Sequence, residues 1–391
     1  MNVRVRSALA LAISVCVLAL AAAESPAPAP SSVDPATRAA MHEIFDALAT
    51  ILPHAVASNE STAPADRAAL RSAFDTIAAR ADSLRTHSGA SDAGFAFLGE
   101  SLAADAREAK RRFDGGQYFD ARFEAAHLVD ACIACHSRLP SDHDAPFAQK
   151  LVAGIDAAKL PVHDRARLAI ATRQFDTGLD LYEGLLLSPP PPDGDGARAR
   201  DLVEYLIVAV RVKRDPARAA KLLTALQQRA ATPEDTKRQI GPWLQSLKKN
   251  GHALDEAPSL ARARSLVDAA RRAREVPFSR SGLVDDLLAS AILHQLVAQP
   301  GLATHDRAEA YYLLGITDAQ VRSSPWLSDA ARYLETAIRT EPHSPLAQRA
   351  FDVYEDMTLL EWTGAISAEL PEDVRLDLDR LRALAAPAPA K

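Results

Sequence analysis

YFDARFEAAHLVDACIACHSRL, residues Tyr118 to Leu139, reads as one helix and as the last of four. Working backwards, a third stretch from about Ser91 to Phe113 stops at Gly115-Gly116, where helices end readily. A second covers about Ala65 to Thr86. The first runs from about Pro35 to Leu52, with Asp34 as its N-cap, Pro35 in its first turn and Pro53 as its stop or kink. Apolar residues recur along it at three- and four-residue spacing, as in Met41, Phe45, Leu48 and Leu52. Four helices of this length, joined by short polar loops, predict an antiparallel bundle. Composition points the same way. Aromatics are only 5% of the 391 residues, and good helix formers (Ala, Leu, Arg) dominate, so the whole chain is expected to be all-α. Its length is enough for two domains.

The N-terminus has the pattern of an export signal. Arg4 and Arg6 precede an apolar run from Ala8 to Leu20, and Ala21-Ala22-Ala23 offers cleavage before Glu24. The run is short for a membrane span, so no stable insertion is expected after cleavage of residues 1–23. Val15 is the wrong size ahead of Cys16 for lipid attachment. Residues 24–33 form a Pro/Ala-rich lead-in. The mature chain then keeps two cysteines, and both stand in Cys132-Ile133-Ala134-Cys135-His136.

Cys-x-x-Cys-His is the pattern through which haem c is held covalently. Two thiols form thioethers with the vinyl groups, and the histidine takes an axial position on iron. On a helix, positions 132, 135 and 136 are i, i+3 and i+4, so all three address one ligand. Three other readings compete. A thioredoxin-type redox pair lacks a surrounding βαβ pattern, a zinc site lacks a second cysteine pair, and a plain disulfide leaves the adjacent histidine unexplained.

A four-helix bundle with this motif near the end of its last helix resembles the class II cytochromes c, the cytochrome c′ and cytochrome c-556 type. The resemblance covers about residues 34–145 as a domain. One position departs from it: the family usually carries a basic residue four places after the haem histidine, and Pro140 stands there, with Arg138 nearby. The resemblance implies one haem, with Cys132 and Cys135 as thioether donors and His136 as proximal ligand. It also implies that the sixth iron position faces the first helix. In the c-556 type a methionine fills that position, and Met41 stands about there. In the c′ type it is left open to small gases such as nitric oxide or carbon monoxide. Met41 as a core residue of the Phe45–Leu48 stripe is the competing reading. His42 lies about 100° further around the helix, so it and Met41 cannot both face the iron.

Charge limits the partners. The net charge of −6 favours neither nucleic acid nor an anionic membrane surface. Between Glu24 and Pro146 there are 18 acidic and 11 basic residues, a balance of −7, which suits a basic redox partner and equally a solvated surface.

Residues 146–384 read as helices without a further metal motif. Gly178, Tyr182, Leu185 and Pro190 have the same offsets as Ala330, Leu334, Ala337 and Pro342. Both resemble the second helix of a tetratricopeptide repeat and its terminating proline, and Tyr311, Leu314 and Gly315 match the first helix of the later copy. About three residues are inserted near Ser324-Pro325-Trp326. Asp215-Pro216 with Ala219, Leu222, Leu223 and Leu226, and the stretch Leu283 to Leu296, are weaker copies. Such arrays stack into a surface that holds a peptide or protein. A Pro-rich surface loop is expected at Pro189 to Pro192, continuing to Gly196, and a disordered tail at 385–391. His163, His252, His294, His305 and His343 show no ligand spacing, and no phosphate loop or nucleophile motif is present. The chain is therefore expected to be a non-enzymatic periplasmic haem protein. Its task would be single-electron transfer, with the repeats docking a partner. A gas-binding haem protein and a repeat-based assembly factor are the alternatives.

Overall fold

The computed structural model describes residues 35–55, 64–87, 93–118, 121, 128, 160–171, 174–189, 196–274, 279–299, 301–321, 330–363, 370 and 372–387. Among them there are fourteen α-helices and no strand, so the protein is all-α. The expected signal, the lead-in and most of the fourth helix lie outside these residues. No described helix is long and apolar enough to cross a membrane.

The first three helices are α1 (Pro35–Ala55), α2 (Pro64–His87) and α3 (Ala93–Asp114). They pack in series, α1 on α2 and α2 on α3. The core follows from the periodicity: Ile44, Leu48 and Ile51 of α1 meet Leu70, Phe74 and Ile77 of α2 and Ala103, Ala106 and Phe113 of α3. Arg80 bonds Glu43 at 2.6 Å across α1 and α2, and Arg71 bonds Asp114 at 2.5 Å across α2 and α3. Pro53 does not stop α1 but sits in its last turn, two residues before the end. A proline costs a helix one backbone hydrogen bond, and near the C-terminus little helix is left to lose. Gly116, with φ +76°, takes the left-handed turn that ends α3. Tyr118 then stacks edge-on against Phe113 and lies under Arg67.

The second half contributes α4 (Val162–Ala171), α5 (Phe175–Leu187), α6 (Gly196–Leu206), α7 (Pro216–Gln228), α8 (Glu234–Asn250), α9 (Leu260–Ala273), α10 (Leu283–Val297), α11 (Thr304–Gln320), α12 (Ala330–Thr340), α13 (Pro345–Thr363) and α14 (Glu372–Ala385). Neighbours pair as α4 with α5, α9 with α10, α11 with α12, and α13 with α14; α9, α11 and α13 also touch in series. Glycine sets the closest approaches. A Cβ on Gly178 would fall 2.8 Å from Ile170 Cγ1, and one on Gly315 would fall 2.6 Å from Leu334 Cγ. Asp215 caps α7 by accepting from the Arg218 N–H at 2.8 Å, and Pro216 follows in the first turn. Helix α10 is buried nearly all round and forms the centre of this half.

Between α6 and α7 the chain winds as a π-helix, Ile207–Val212. The wider winding brings Arg211 inside, where it bonds Asp318 of α11 at 3.3 Å. Gly196, expected in a loop, already opens α6. At the C-terminus Ala385, the expected start of a tail, still belongs to α14 and is buried; His343 bonds its neighbours through Leu384 O and Ala386 O. The proline run from residue 190 and the insertion near Ser324 lie outside the described residues. Helix α12 also lies against α3, so the two halves touch.

Candidate functional site

Cys132, Cys135 and His136 lie outside the described residues, as do His127 and His143. The structure does show the approach to them. Ala121 and Leu128 are helical, 1% and 0% exposed, and belong to the same apolar cluster as α1, α2 and α3. Met41 is half-buried on α1 and packs against that cluster, to which Ile44 and Leu48 of the same helix belong. His42 is half-buried beside it.

A second group of chemically capable side chains comes together where α4, α5 and α6 meet. His163 of α4 lies 2.5 Å from Asp201 of α6, Nδ1 to Oδ1. One turn further, Glu204 is 0% exposed and accepts from Arg167 Nη2 at 2.8 Å and from the Tyr182 hydroxyl. Burial, then the charge on Glu204, pushes the Tyr182 hydroxyl well above its usual range, so it remains a donor. His163, Asp201 and Glu204 each offer one ligand atom, and these atoms lie within 4.8 Å of one another. The sequence gives little signal for this group. Asp201 and Glu204 are an i, i+3 pair on one helix, but His163 and Tyr182 are brought in only by packing.

A third group lies at the heart of the second half. Asp285 is bonded by Ser246 and, at 2.7 Å, by Asn250, both from α8. Asp286, 1% exposed, is paired with Arg274 from the end of α9. Burial, against the pull of Arg274 and with help from Asp285 and Asp318, raises its carboxyl to about 7. The bonds from Ser246, Asn250 and Arg274 tie α8, α9 and α10 together, which is a structural role.

The remaining histidines are dispersed. His252 is exposed, His305 lies against Glu341 at 3.0 Å, and His294 meets the Tyr333 ring edge-on. In comparisons with known proteins, no family model, no curated protein and no solved structure matches this chain.

Proposed function

We propose that the protein is an exported, periplasmic c-type haem protein that carries single electrons and docks a protein partner on its helical second half. The observation that carries the reading is the pentapeptide Cys132-Ile133-Ala134-Cys135-His136. It follows Leu128, a fully buried helical residue of the first half's core, and Cys132 and Cys135 stand four and seven residues after it. That is the spacing of one helix face. The same core holds Met41 at its edge, as a sixth ligand from α1 requires. A thioether in that position raises the iron potential and favours electron transfer over ligand binding. The helices paired in series from α9 to α14, with glycine at the contact between α11 and α12, support degenerate tetratricopeptide-like repeats as the docking half. No enzymatic step is assigned to it.

The gas-binding reading rests on the packing of Met41 against the apolar cluster of the first half, a setting equally suited to a core methionine. One set of spectra separates the two. Haem held by two thioethers survives acid–acetone extraction and denaturing electrophoresis; its loss would remove the proposal altogether. With Met41 on iron, both oxidation states are low-spin, carbon monoxide binds slowly, and Met41→Ala turns the iron high-spin. With Met41 in the core, the native iron is already high-spin and binds gas readily. A low-spin spectrum that persists in Met41→Ala would point to His42 or another ligand.

A further inference from the structure

We infer that His163, Asp201 and Glu204 form a binding site for a divalent transition metal ion of the zinc class, separate from the haem motif. The donors are one imidazole nitrogen and two carboxylate oxygens from helices α4 and α6. This mixed set suits zinc-class ions better than calcium or magnesium, which take oxygen alone. Ligands about 2.0–2.2 Å from one ion stand roughly 3–4 Å apart. The present spread of up to 4.8 Å, with the His163–Asp201 contact at 2.5 Å, is brought to that spacing by small side-chain rotations.

Asp201 supplies the independent indication of a ligand. It is 3% exposed, and its one hydrogen-bond partner among the described residues is the His163 ring. Its second oxygen takes no hydrogen bond from any described residue and keeps a small contact with solvent, with the side chain 4% exposed. A buried carboxylate normally collects several donors or a cation, because its charge has been taken out of water. Glu204 is already oriented: Arg167 bonds both its oxygens, Nη2 to Oε1 at 2.8 Å and Nε to Oε2 at 3.3 Å, and the Tyr182 hydroxyl also donates to Oε2, so the ion would take a remaining lone pair of a carboxylate held by its neighbours. With Arg167 counted, the two carboxylates leave one net negative charge for the cation. His163 is half-exposed and gives the ion a way in, and three protein ligands leave coordination positions for water.

The test is equilibrium dialysis of the full chain against zinc ion, followed by metal analysis, for wild type and His163→Gln. The variant changes a half-exposed residue, and both chains carry the same Cys132 and Cys135, so the difference between them reports this site. One zinc more per chain is expected in wild type. Zinc should also raise the melting temperature of wild type and leave that of the variant unchanged, and uptake should weaken as pH falls, because the ligands must be deprotonated. Asp201→Asn, where it folds, should behave like His163→Gln. Equal zinc in wild type and His163→Gln, or none in either, would overturn the site and leave His163–Asp201 as a structural pair.

Discussion

Replacing Asp286 by asparagine should make the protein more stable at pH 8 and change its response to pH. Asp286 sits on α10 with Arg274 of α9 as its partner, Asp285 beside it, and Asp318 of α11 facing it; Asp318 is itself held by Arg211 of the π-helical segment. Burial and the two neighbouring carboxylates outweigh Arg274 and raise the carboxyl from 3.8 to about 7. The folded chain therefore keeps this proton between about pH 4 and 7, where the unfolded chain has lost it. Folding takes up a proton in that window, so stability falls as pH rises through it, and the loss is complete above about pH 7. At about 1.4 kcal/mol per pH unit, moving from 3.8 to about 7 amounts to about 4 kcal/mol. Asparagine has the shape of the protonated acid, still accepts from Arg274 and does not titrate. Urea unfolding of both chains at pH 5 and pH 8, followed by circular dichroism, reads the difference. The advantage of Asp286→Asn should grow by a few kcal/mol between the two pH values, and groups common to both chains cancel. A variant that is less stable than wild type by the same amount at pH 8 and at pH 5 would mean that the Arg274 ion pair wins over burial and keeps the carboxyl ionised through that range, and the reasoning would fail.

Gly315→Ala should lower stability by about 1–3 kcal/mol, the usual cost of forcing an extra carbon into a packed contact. The new Cβ would stand 2.6 Å from Leu334 Cγ, and thermal unfolding measures the effect; an unchanged melting temperature would show that α11 and α12 can spread freely. A chain beginning at Phe147 should be soluble and helical by circular dichroism without haem, because α10 and its neighbours bury a core of their own. Failure of that chain to fold while the full chain folds would show that the contact between α3 and α12 is essential.

Much of the fold was legible from local pattern. The first three helices begin and end within two or three residues of the positions that capping, glycine and apolar spacing indicate. Pro53 misled because a proline's effect depends on how much helix follows it. The offsets shared by Gly178 and Ala330 located two helices in the second half, but the pattern could not show what each glycine avoids. Ile170 and Leu334 reach those contacts from a neighbouring helix, and that distance exists only after packing.

The sequence by itself determined the helical class and the pentapeptide at residues 132–136, because helix periodicity and the pattern of the proposed haem attachment are both written in residues a few positions apart. Tertiary structure alone decided which charges went inside. His163 and Asp201 are 38 residues apart, and Arg211 and Asp318 are 107 apart. None of these residues differs in type from the many solvated Arg, Asp and His side chains along the chain. Burial is a property of the assembled helices, and it raises the carboxyl of Asp286 and joins His163 to Asp201 and Glu204. An isolated segment in water offers neither the low dielectric nor the partner from another helix, so no local reading could have supplied them.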